Sequence, residues 1–385
     1  MARVTVAATI VVVAGAIAAA GFWGWKAWGP HGIADGPHTK LCPGKGGCLR
    51  VFDAAGILPP ADVSRFEEYM GHIHRESDVD VRFVFVRDTG GRRLEDLATS
   101  LVGELGIGGR TREERGVLLL YDMASKRLKI EVGYGLEGIV PDAFASYLAQ
   151  DHARLFFASG DLSVGLRLML RLLQHRIREA VLGESFDPTV LKGLPSALYL
   201  SGGAGVTSRV PRVEGAAAVP AGRVDPALRE RFVAQDSPHE TYARYLEWLA
   251  QSVYDPQVDF FTQNTRLYLA GFPLSPAYAD FILMGERGKR FRVVERGDLA
   301  ILYFTSTPFT SPHFFVREGG KWYMDIATEV RNTREYVGGR FTWGYVGTGD
   351  AHTRVFSDLL FNSRGVHRFR DGDNRELPIR GSQGL

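Results

Sequence analysis

Three acidic residues stand where the chain is expected to leave a strand or enter a helix. Asp53 lies in VFDAAGIL, Glu137 in GYGLEG, and Asp142 in the Pro-Asp-Ala that follows. Three glycines among residues 133–138 permit a sharp backbone turn that exposes Glu137. Pro141 suits a helix start and sets Asp142 beside the positive end of the helix dipole. Carboxylates meeting at the carboxyl end of a sheet, where open α/β folds bind ligands, would suit a hard divalent cation such as Ca2+ or Mg2+. A dipole-stabilising Asp142 and a solvated Glu137 account for the same spacing, and both readings stand at this stage.

Other chemistries lack their residues. There is no Gly-x-Ser-x-Gly elbow, no Cys-x5-Arg phosphate loop and no His-Glu-x-x-His. The ten histidines are scattered. His72 and His74 lie two apart on an expected helix and so face different ways. Lys and Arg total 46 against 44 Asp and Glu, a net +2 that leaves no basic surplus for nucleic acid. Cys42 and Cys48 bracket a flexible Pro-Gly-Lys-Gly-Gly segment. Such a pair most simply closes a local disulfide in an oxidising compartment, since the other ligands of a zinc site are missing.

The elements that must position these groups follow from periodicity. Helical spacing marks residues 62–77, 94–105, 141–157 and 162–182, and strand patterns mark 79–86, 116–121 and 127–134. The apolar GVLLLY reads as a central strand covered on both faces. Helices alternating with strands predict an α/β sandwich over residues 49–182. A stretch rich in Gly, Pro, Ser and Ala, residues 183–224, predicts a linker. A helix over 238–253 followed by strands over 291–295, 299–305 and 313–326 predicts an α+β domain over 225–346. The last of these strands turns back at Gly319-Gly320. Residues 347–385 read as a mostly loose tail with one apolar piece, 355–361, that docks.

At the amino end, Val4 to Trp25 carries no charge. Its twenty-two residues at about 1.5 Å each span roughly 33 Å, enough for one transmembrane helix. Trp23, Trp25 and Trp28 suit the membrane interface. A retained anchor over 1–29 and a cleaved signal peptide ending near Ala18-Ala19-Ala20 both export the remainder, with 30–48 as a membrane-proximal linker.

Across residues 50–175, the segments VFDAAGIL, LEDLA, RGVLLLYD, KIEVGYGLEGIVPDAFA and FASGDLSVGL resemble the TPM domain. The resemblance implies a Rossmann-like three-layer α/β/α sandwich and divalent-cation binding by Asp53, Glu137 and Asp142. It adds Asp122, at the end of the central strand, as a further candidate. Acid phosphatase activity is attributed to some members, and others serve photosystem repair or membrane-protein quality control. Members often carry a carboxy-terminal membrane span and a glycine-rich tail, whose place an extra domain takes here. That domain is similar to the cone-shaped nuclear transport factor-like (cystatin-like) α+β fold. The likeness rests on its helix near Tyr242 to Leu249, on ERGDLAILYF and on FFVREGGKWYMDIA. His313, Tyr323 and Asp325 would point into the pocket of such a cone, unless side chains fill it.

Together these expectations describe a single-pass protein of the inner (cytoplasmic) membrane with its bulk on the extracytoplasmic side. It would act as a cation-dependent binding, assembly or quality-control factor with a protein partner and no nucleic acid. A metal-assisted acid phosphatase is the alternative, and the sequence leaves open whether the chain is an enzyme.

Overall fold

The computed structural model describes residues 49–369 except 110, 161, 192–204, 213–225, 252–253, 307–309, 336–342, 346–348 and 364–365. The expected anchor and the cysteine pair Cys42/Cys48 lie outside the described residues. Among those described, no helix is long and apolar enough to cross a membrane.

The first sheet contains β1 (Val51–Asp53), β2 (Asp80–Val86), β3 (Gly116–Asp122), β4 (Arg127–Val132) and β5 (Val206–Arg209), in that spatial order. Strands β1 to β3 run parallel, and β4 turns back antiparallel, followed by β5. Side-chain alternation gives the sheet two apolar faces. Phe83, Phe85, Leu119, Tyr121, Leu128 and Ile130 meet α1 (Pro60–Ser77) and the later helices of this unit. Phe52, Val84, Val86, Leu118 and Leu120 meet α2 (Leu94–Leu105), whose Leu94, Leu97, Ala98, Leu101 and Leu105 form the expected stripe. Helices on both faces make three layers of a mixed α/β fold.

Two expectations need correction. The helix expected over 141–157 is α3 (Asp142–Tyr147), a π-helical turn Leu148–His152, and α4 (Ala153–Ser159), followed by α5 (Leu162–Val181). The linker expected over 183–224 contains β5, which joins the first sheet. Val-Thr-Ser-Arg has no apolar alternation to announce a strand; pairing with β4 recruits it, and the Tyr121 hydroxyl donates to Val210 O at 3.1 Å.

The carboxy-terminal unit opens with α6 (Pro226–Arg231) and α7 (Pro238–Leu249), where Ser237 caps the latter by accepting from Glu240 N–H. Two helices without a counterpart in the sequence reading follow, α8 (Gln263–Gly271) and α9 (Pro276–Glu286). The antiparallel meander β6 (Phe291–Arg296), β7 (Leu299–Phe304), β8 (His313–Glu318) and β9 (Lys321–Met324) matches the expected strands and their turn at Gly319-Gly320. Beyond α10 (Ile326–Asn332), a second small sheet holds β10 (Thr333–Glu335), β11 (Trp343–Tyr345), β12 (Leu360–Ser363) and β13 (Val366–Phe369). The expected loose tail is therefore partly ordered. After α11 (Ala351–Val355), Phe356 and Leu359 pack against Ile301, Tyr303 and Phe314.

Candidate functional site

The glycine loop at 133–138 is locked to the turn that precedes β3. Gly133 N–H donates to Gly116 O at 2.8 Å. A Cβ on Gly133 would lie 2.1 Å from Glu114 O, and one on Gly135 1.9 Å from Glu113 O. Close approach of two backbones, and not a left-handed φ, is what these glycines provide. Opposite them, Glu113 and Glu114 hold φ of 59° and 57°, a region that costs energy for residues with a Cβ. Thr111 braces this turn, its hydroxyl donating to Gly108 O at 2.6 Å and accepting from Arg115 N–H at 2.7 Å. On this platform the Tyr134 ring stands 78% exposed, with Glu137 exposed beside it.

The sheet register then decides which acids can meet. Asp53 and Asp122 end the parallel strands β1 and β3, with β2 between them, so their Cα atoms lie about 10 Å apart at ~4.8 Å per strand. Strand β4 runs the other way: Arg127 faces Asp122, and Val132 faces Val117. Five residues at ~3.4 Å carry the chain about 17 Å before the glycine loop begins. Glu137 and the start of α3 at Asp142 therefore follow the opposite end of the sheet.

Residues 51–176 match the family model of the TPM domain. The amino-terminal sandwich is a TPM domain. The match spans about a third of the 385-residue chain. Among solved structures, the chain is similar to the N-terminal domain of a protein from P. gingivalis, determined by solution NMR, with 28% identity and a TM-score of 0.31. That alignment covers 36% of this chain and 88% of that one. No curated protein matches.

The four candidate acids of the TPM domain do not fit one divalent ion. Asp53 closes the loop into α1, accepting from Gly56 N–H at 2.8 Å and Leu58 N–H at 2.7 Å. Asp122, 3% exposed, accepts from Ala124 N–H, Ser125 N–H and the Ser125 hydroxyl, the last at 2.5 Å. Among the described residues, no three His, Cys, Asp or Glu side chains gather as ligands. The expectation of a shared centre is thus corrected, because antiparallel β4 sends its loop away from the ends of β1 and β3. Asp53→Ala is expected to lower stability by about 1–2 kcal/mol through its two backbone amides. Urea denaturation of the variant, with and without 1 mM-scale Ca2+ present, checks this: a calcium-dependent difference from wild type would restore Asp53 as a ligand.

The three pocket candidates of the second unit are also separated. Asp325 caps α10, accepting from Thr328 N–H at 3.2 Å and the Thr328 hydroxyl at 2.6 Å. Tyr323 is half-buried in β9 opposite Val316, one residue out of phase with Trp322 and Met324. His313 shares parity with Phe315 and is 3% exposed beneath Tyr242 and Tyr245, whose rings lie 5.6 and 5.4 Å away. With Trp248, Phe261 and Phe304, these rings fill the core between the helices and the sheet.

His313 is instead clamped between two glutamates that the sequence reading missed. Its Nδ1 donates to Glu329 Oε2 at 2.9 Å, and its Nε2 forms an ion pair with Glu286 Oε1 at 3.0 Å. The Tyr242 hydroxyl donates to Glu286 Oε2 at 3.1 Å and the Ser311 hydroxyl to Glu329 Oε1 at 3.1 Å. Burial by itself pushes the imidazole towards neutrality, but the charges of Glu286 and Glu329 outweigh it and raise the pKa to about 10. His313 is therefore an imidazolium at neutral pH. Its signal in the sequence was indirect: Glu286 ends a helix, PAYADFILMGE, too apolar to leave its acids in water.

Proposed function

We propose that the chain is an exported, membrane-tethered binding factor whose TPM domain presents the 133–138 loop to a protein partner. The uncharged run from Val4 to Trp25 supports the tether, and Cys42 and Cys48 support an oxidising, extracytoplasmic compartment. Tyr134 carries the binding assignment: a solvent-facing ring on a backbone already held in place. A rigid exposed aromatic has little freedom left to lose when a partner covers it. Glu113 and Glu137 at its rim favour a partner with Lys or Arg around the contact. The carboxy-terminal unit, helices α6 to α9 followed by the meander β6 to β9, serves as a filled, fixed platform. Hydrolysis lacks comparable support, because the acids sit at opposite ends of the sheet and the nucleophile motifs are missing from the sequence.

A photoreactive amino acid at position 134 tests the reading in cells that make the full chain. A discrete protein adduct is expected from 134 and none from Asp88, exposed beyond the opposite end of the sheet. The adduct should stay with membranes through carbonate washing. Equal crosslinking from both positions removes Tyr134 as the contact, and release by carbonate removes the tether. Chelator-sensitive phosphomonoester turnover that disappears in Glu137→Gln would reassign the chain to the hydrolases.

A further inference from the structure

Helix α9 has no exposed residue. A surface helix shows one wet face, whereas this one is covered all round. Ala277, Asp280 and Met284 follow an i, i+3, i+7 stripe, and Ala277 and Met284 belong to the core of the TPM domain. Ala279, Leu283 and Glu286 follow an i, i+4, i+7 stripe, and Ala279 and Leu283 belong to the core of the carboxy-terminal unit. At about 100° per residue the two stripes lie roughly 120° apart.

Each stripe carries one acid that engages a buried histidine on its own side. Glu286 meets His313 and Tyr242, as described. Asp280 Oδ2 accepts from the Tyr147 hydroxyl at 2.5 Å and from His152 Nδ1 at 2.7 Å. Tyr147 and His152 are five residues apart, which on an α-helix would point them about 140° away from each other. The π-helical turn Leu148–His152, bonded i to i+5, returns them to one side so that both reach one oxygen. His152 is fully buried and its Nε2 has no partner among the described residues, which leaves Asp280 as the group that satisfies the ring. Lys289 to Glu179 at 2.6 Å, and the Arg171 guanidinium 4.3 Å over the Phe281 ring, close the same seam.

We infer that α9 is a splice shared by two cores, with Asp280 as its latch, so that the TPM domain and the carboxy-terminal unit unfold and respond as one body. The 133–138 loop runs directly into α3 and the π-helical turn, so a load on that loop reaches Asp280. The latch stands whatever the loop binds.

Scanning calorimetry and hydrogen exchange on the full chain test it. Wild type is expected to melt in one transition. Asp280→Ala should split that transition in two and raise amide exchange at least about tenfold within 238–249 and 313–324, which Asp280 does not touch, as well as within 142–157. Tyr147→Phe removes one hydroxyl and keeps the His152–Asp280 bond. It should give the same pattern with smaller amplitude, and it replaces the alanine variant should that fail to fold. Two transitions in wild type, or faster exchange confined to 142–157 and 276–286, overturn the inference.

Discussion

Replacing His313 by leucine is expected to destabilise the chain by about 3–5 kcal/mol, because two buried carboxylates lose the cation between them. Glu286 is 5% exposed and Glu329 7%, so water cannot take over. Leucine roughly keeps the volume, which separates charge from packing. Removing both acids as well, in Glu286→Gln/His313→Leu/Glu329→Gln, should recover much of the loss, since the cost lies in uncompensated charge. Urea denaturation at pH 7 provides the readout; a leucine variant within 1 kcal/mol of wild type, as an order of magnitude, would contradict the clamp.

The same cluster sets a pH window. The folded pKa of His313 stands at about 10, above its unfolded value near 6.5. A raised pKa contributes stability in full below the unfolded value, and that contribution drains away as pH climbs through the folded one. Wild-type stability should therefore fall between pH 6.5 and 10 relative to the triple variant, in which the group is gone. Parallel curves for the two proteins across that window would show that His313 is not charged in the folded state.

Gly165→Ala should also lose stability, against the expectation from helix propensity. Alanine is favoured over glycine inside a helix by up to about 1 kcal/mol. Here the new methyl would sit 1.9 Å from Phe156 Cγ and 2.2 Å from its Cβ, where α5 crosses α4. Phe156 is 1% exposed and packed on Phe157 and His152, so it has no free rotamer to escape into. Overpacking of this kind costs about 1–3 kcal/mol or more, enough to reverse the propensity gain. The melting temperature should drop by several degrees, and Phe156→Leu combined with Gly165→Ala should regain part of it. A melting temperature at or above wild type would refute the crossing.

Much of this architecture was legible before any coordinates. The stripe on α2, the apolar run of β3, the hairpin at Gly319-Gly320 and the docking of Phe356 all follow from local periodicity, because each element announces the face it must bury. Strand β5 was not legible: three of its four residues are polar, and only a neighbouring edge makes them a strand. Nor were the π-helical turn and α9, whose residues carry no single periodic face.

The amino-acid sequence by itself determined most of the helices and strands, that a TPM-type sandwich precedes an α+β unit, and which loop is rich enough in glycine to turn sharply. Only the tertiary structure decided which charges meet. Strand direction placed Asp53 and Glu137 at opposite ends of one sheet, and the packing of helices α9 and α10 around β8 seated His313 between Glu286 and Glu329, 27 and 16 positions away along the chain. Propensity acts over a few neighbouring residues and reads along the chain. A carboxylate's partner is set by which distant surfaces pack together, and that choice is made by the whole fold.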